Sequence, residues 1–227
     1  MSADALSLLA TLQQADSFFP AGGIAFSWGV EGLVASGAFP SGCDLTGFLR
    51  GQLEQRWAVL DRSALALAYH SAADLDAVIA VDRQVEAMTL ARELREGSRR
   101  AGASLIGVHV RIGTPGADQY RARIRSAAAP GHLPVVQGLT WRGTGLTLAQ
   151  AEAASAHTFC ISLLGAAIRL GAIGHLHAQH ALVGVRQRLS EMLERPALSM
   201  DESYTFAPMI EIAAMRHEVQ ASRLFAN

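Results

Sequence analysis

Residues Asp44–Leu60, DLTGFLRGQLEQRWAVL, carry the plainest structural signal in the chain. Leu45, Phe48, Leu49, Leu53, Trp57 and Leu60 follow one another at steps of three and four, which lines up one face of a helix. Asp44 stands where a side-chain oxygen caps a first turn. The same spacing recurs in both directions along the chain. Leu6, Leu8, Leu9 and Leu12 form an earlier amphipathic stretch, with Ser2 or Asp4 as its cap. Ile24, Phe26, Trp28, Val30, Leu33 and Val34 predict a short helix closed by Gly37. A longer pattern runs from Leu75 through Val78, Ile79, Asp82, Val85 and Met88 to Leu94. Ala101–Gly113 alternates enough to pass for a strand, but no second strand pattern offers it a partner, so it reads as helix.

Beyond it, TPGAD and APGHLP are turn chemistry around a short helix at Tyr120–Arg125. Thr147 caps a small-residue helix that reaches Arg169 and stops at Gly171; another runs from Leu176 to Glu194, before Pro196. A linker-like RPALSMDESYTFAP leads into a final helix with Ile212, Met215 and Val219 on one face. The expectation is an all-α, multi-helix bundle forming one domain over residues 1–227, ending in an amphipathic tail at about 207–227.

Composition narrows the function classes. Half the residues are hydrophobic, 17% are charged and the net charge is −1, which fits a globular protein without a nucleic-acid or anionic-membrane partner. No basic segment precedes the first apolar residues, so a secretory leader is not expected and the cytoplasm is the predicted location. The apolar run Thr158–Leu176 is interrupted by Arg169 and glycines and reads as a buried helix and turn. All 19 basic residues are arginine. Without lysine, neither a phosphate-binding P-loop nor a lysine Schiff base can be assembled, so Gly22-Gly23 is a bend rather than a nucleotide loop.

Candidate chemistry is sparse. His177 and His180 share a helix face, whereas His175 and His177 do not, and no Cys, Asp or Glu nearby completes a familiar ligand set. This leaves a helical metal carrier built on His175, His177 and His180 as the alternative function. Arg216, His217, Glu218 and Arg223 read as the polar face of a docking helix, since adjacent helical residues point apart. Ser27 lies outside any G-x-S-x-G elbow and reads as a local hydrogen-bonder. Cys160 reads as a small buried hydrophobe. A helical enzyme with scattered site residues remains a third reading.

Four segments resemble the UreF family of urease accessory proteins. DSFFPAGGIAFSWGVEGLV (16–34) is similar to its Asp-Ser-x-x-Pro-x-Gly and Ser-x-Gly-Leu-Glu pattern, and GHLPVVQG (131–138) to its Pro-Val-Val-x-Gly stretch. AAIRLGAIG (166–174) resembles Ala-x-Arg-Leu-Gly-x-x-Gly, and APMIEIAAMRHEVQASRLFAN (207–227) the C-terminal signature. The departures are Phe26 in place of a frequent histidine, Val30 in place of leucine, and Ala207, Glu211 and Ala214 in the tail.

The resemblance implies an all-helical, homodimeric adaptor and chaperone with no catalysis and no cofactor. Its implied partners are a UreD/UreH-like accessory protein, a UreG-like GTPase whose activity it modulates, and, through the complex, apo-urease awaiting nickel. The tail is expected to order on binding UreD/UreH. The partner-binding residues it implies are Pro20, Gly22, Ser27, Glu31, Arg216, His217, Glu218, Arg223 and Phe225. Ser27 and Glu31 are expected to form a polar edge near a partner surface.

Overall fold

The computed structural model describes residues 3–21, 26–40, 44–218 and 224–225, and among these every regular element is a helix. Ser2, Gly22, Ile24, Val219 and Arg223, used in the sequence reading, lie outside the described residues. In chain order the helices are α1 (Ala3–Ala15), α2 (Val30–Ala35), α3 (Leu45–Gln52), α4 (Arg62–His70), α5 (Leu75–Met88) and α6 (Arg92–Arg111). They continue with α7 (Ala117–Arg125), α8 (Leu133–Gly143), α9 (Leu148–Arg169), α10 (His175–Leu193) and α11 (Pro208–His217).

The opening stretch is indeed helical, but it does not run as one α-helix. Between α3 and α4, Leu53–Asp61 widens into a π-helix and the axis continues without a loop. Asp44 precedes α3 without making a side-chain cap, contrary to the expectation. The long pattern from Leu75 is also two helices. Met88 ends α5, Thr89 and Ala91 are extended, and α6 begins at Arg92. Ala101–Gly113 is helical through Arg111.

The reading of α9 holds in detail. Thr147 accepts from the Gln150 backbone while the Gln150 side chain accepts from the Thr147 backbone, a reciprocal cap of the first turn. This helix has the length and hydropathy of a membrane span, yet its small and apolar residues are packed against α1, α8 and α10.

Two apolar clusters hold most of the interior. One gathers Val30, Leu33, Phe48, Leu49, Leu53, Trp57, Leu163, Leu164, Ile210 and Phe225 from α2, α3, the π segment, α9, α11 and the tail. The other gathers Leu60, Val78, Val85, Leu105, Ile106, Tyr120, Val136 and Leu139 from the π segment and α5 to α8. Helix α8, which turn chemistry concealed in the sequence, is the hub of the second. Pro134 sits in its first turn, where the missing N–H costs nothing, and Gly138 presses it against α4. A Cβ on Gly138 would lie 2.3 Å from the Leu65 carbonyl oxygen.

Charged residues tie these layers together. Arg62 on α4 pairs with both Glu152 oxygens at 3.0 Å and donates to the Met192 and Arg195 carbonyls at 2.7 and 2.6 Å, closing the C-terminal end of α10. Asp82, fully buried on α5, accepts from Tyr120 Oη at 2.7 Å and from the backbone N–H of Gly131 and His132.

Helix α1 turns its leucines outward. Ser7, Ala10, Gln14 and Ala15 face the protein, with Ser7 bonded to Gln150 and Gln14 to Trp141. Leu6, Leu8, Leu9 and Leu12 are each more than half exposed. The apolar face of this amphipathic stretch is its outer one.

Candidate partner-docking site

The residues of the C-terminal signature meet the front segment at one junction. Trp28 (φ 53°) and Gly29 (φ 86°) turn the backbone through left-handed conformations, and α2 starts at once. Gly29 and Gly32 then face α11 without side chains. A Cβ on Gly32 would come 2.4 Å from the Ala213 carbonyl oxygen, so only glycine permits this approach.

The approach places Glu31 of α2 beside His217 of α11. His217 Nε2 lies 2.9 Å from Glu31 Oε2, and its Nδ1 lies 3.0 Å from both carboxylate oxygens of Glu93 on α6. All three side chains are buried. Glu31 also accepts the backbone N–H of Leu224 at 2.6 Å and of Phe225 at 3.2 Å, so one carboxylate holds both α11 and the tail. Phe225 is buried and stacks under the Arg169 guanidinium at 4.3 Å. Nearer the surface, Glu218 pairs with Arg92 at 3.7 Å, and Arg216 is exposed.

Of the residues expected to bind partners, Glu31, His217, Glu218 and Phe225 are therefore brought together. Gly22 and Arg223 fall outside the described residues. Pro20 is elsewhere: its carbonyl accepts from Ser104, eleven residues beyond Glu93 and roughly 16 Å along α6. Two expectations change. Ser27 and Glu31 form no exposed polar edge, being 0% and 7% exposed. His217 does not lie on an outer polar face of the docking helix, because the end of α11 turns it inward onto two carboxylates.

The exposed counterpart of this junction is apolar. Met209, Ile212 and Met215 stand at helical spacing on the outer side of α11, each nearly half exposed. Tyr204, Phe206 and Leu224, on the flanking segments, are exposed further. Sequence spacing had marked Ile212 and Met215, but the aromatic residues before α11 read only as linker.

A second apolar surface is a groove of about 830 Å³ between residues 14–21 and α9. Phe18 on its rim is 91% exposed, whereas Phe19 turns inward against His109. Burial holds His109 down at about 4.

The other chemical candidates do not assemble. His175, His177 and His180 are exposed, and no group of three or more His, Cys, Asp or Glu suited to a metal occurs among the described residues. Cys160 is buried and pushed up to about 12, an inert thiol.

With the geometry in place, comparison with known proteins is decisive. The sequence model of the UreF family matches residues 41–186, and similarity to curated relatives extends over the whole chain. The chain belongs to the UreF family. The urease accessory protein UreF of Trichodesmium erythraeum (strain IMS101) is 31% identical, with all of both chains covered. UreF of Arthrobacter sp. (strain FB24) is 29% identical with 96% of each covered, and that of Actinobacillus pleuropneumoniae 27% identical with 96% of this chain and 98% of its own covered. The UreF family model ends in α10, so the α2–α11 junction owes its assignment to the full-length relatives.

Proposed function

We propose that this UreF-family chain is a non-catalytic adaptor and chaperone in urease maturation, acting in the cytoplasm as a homodimer. In this reading it bridges a UreD/UreH-like accessory protein and a UreG-like GTPase, modulates the GTPase, and so assists nickel delivery to apo-urease. The observation that carries the reading is the apolar strip of Phe206, Met209, Ile212, Met215 and Leu224, backed by the buried Glu31–His217–Glu93 junction. Exposed apolar residues clustered on one element mark interaction surfaces, and a rigid support lowers the ordering cost of docking. Arg216 and Glu218 at the rim of the strip supply the polar contacts that fix register.

The test is a bridging pull-down. A tagged UreD/UreH-like protein should retain the GTPase only when this chain is present, and this chain alone should show no GTP turnover. Retention of the GTPase without this chain, or failure of this chain to bind either protein, rejects the adaptor role.

A further inference from the structure

The π-helical segment places two residues where an α-helix could not. On a 3.6-residue turn, Arg56 and Asp61 would point about 140° apart. The wider turn brings them to one side, with Arg56 Nε 3.5 Å from Asp61 Oδ2. Both line a partly open cavity of about 80 Å³ between the π segment, α6, α8 and α9, with Gln14, Ala21 and Trp28 also on its wall. That is room for about two to three waters. The outer groove along α9 adjoins it, the two sharing Thr158 and Ser162 in their walls.

Several polar groups around this space are donors. Arg56 is 6% exposed, and Asp61 is its one ion-pair partner among the described residues. Burial pushes the Asp61 carboxyl up, against the opposing pull of Arg56 and His132. The indole Nε1 of Trp28 is buried with no hydrogen-bond partner among the described residues. Gln137 accepts the Ser155 hydroxyl at its Oε1, which leaves its –NH₂ as a donor for the cavity. Trp57 and Phe159 supply apolar wall. A buried guanidinium whose ion-pair partner is Asp61, near an indole N–H without a partner among the described residues, leaves donor capacity at this space, with Gln52 Oε1 the unpartnered acceptor on the adjoining wall.

We propose that this cavity binds a small carboxylate of two to four carbons, with its oxyanion on Arg56 and Trp28 and its alkyl end against Trp57 and Phe159. The site is independent of the adaptor reading, since it uses none of the exposed strip. Asp61 competes for the same guanidinium, so its removal should strengthen binding while removal of Arg56 should abolish it.

The experiment titrates the full-length chain with acetate and propionate, and with acetamide and propionamide, at constant ionic strength. It follows ligand saturation-transfer NMR and the melting temperature. Saturable carboxylate binding is expected, with propionate tighter than acetate and the neutral amides weaker by about tenfold or more. Asp61→Asn should tighten propionate by about tenfold, and Arg56→Gln should lose it. Equal binding of acid and amide, weakening in Asp61→Asn, binding that survives in Arg56→Gln, or no saturable binding to the wild-type chain overturns the proposal. Should Arg56→Gln not fold, the acid–amide pair and Asp61→Asn decide the matter alone.

Discussion

Glu31 and His217 lie 186 positions apart in the chain and 2.9 Å apart in the fold, and through that contact α2 holds α11. His217→Ala would leave Glu31 and Glu93 facing each other across a buried gap, with Glu93 deprived of its ring contact. Breaking a buried pair by removing one partner costs about 3–5 kcal/mol. Urea denaturation should show this loss, with chymotryptic cleavage at the exposed Tyr204 and Phe206 accelerated as α11 loosens.

Glycines divide into those the packing demands and those it tolerates. Gly138→Ala forces a Cβ into the α4 backbone at Leu65 and should destabilise by about 2 kcal/mol or more. Gly107, inside α6, has open space where a Cβ would point, so Gly107→Ala should stabilise by about 0.5–1 kcal/mol. Thermal melts of the two variants should therefore move in opposite directions.

The buried Arg62 fork makes a third test. Arg62→Leu removes the partner of Glu152 and the donors to the α10 carbonyls, and should cost about 3–5 kcal/mol. Arg62→Lys should recover only part of this, because a point charge cannot engage both carboxylate oxygens and both carbonyls. Chemical denaturation of the three proteins ranks them.

Acid sensitivity should follow from His109. Its folded value is about 4 and its ordinary value 6.5, so between these the unfolded chain binds the extra proton. Stability is complete above about pH 6.5 and drains as pH falls toward 4, by up to about 3 kcal/mol. Burial lowers His132 as well, in the same direction, against the opposing pull of Asp82 and Glu86. His109→Gln should flatten the dependence of the urea midpoint between pH 7 and pH 4.5 relative to the parent chain.

What was legible in the sequence was whatever depends on neighbours in the chain. Thr147 and Gln150 announce the start of α9, and Gly171 in a left-handed conformation ends it, because caps act within four residues. Helix α8 was hidden because Gly138 and Pro134 look like breakers, and only the proximity of α4 reveals that Gly138 is a contact. The leucines of α1 misled because periodicity reports a face without saying which side the protein occupies; Ser7 and Gln14 decide it through Gln150 and Trp141. Widening at Leu53–Asp61 leaves no mark in apolar spacing, so the Arg56–Asp61 pairing was invisible. His217 reads as part of the polar face of a docking helix because its partners are unreadable: Glu31 and Glu93 reach it only through tertiary packing.

Docking through the outer face of α11 is measured most directly by the affinity of a UreD/UreH-like partner for Ile212→Asp/Met215→Asp. Both side chains are nearly half exposed, so the variant should melt close to the parent. A Kd weakened by about a hundredfold or more, with the fold intact, is the predicted result. Unchanged affinity in a folded variant would contradict the assignment of this face as the docking surface.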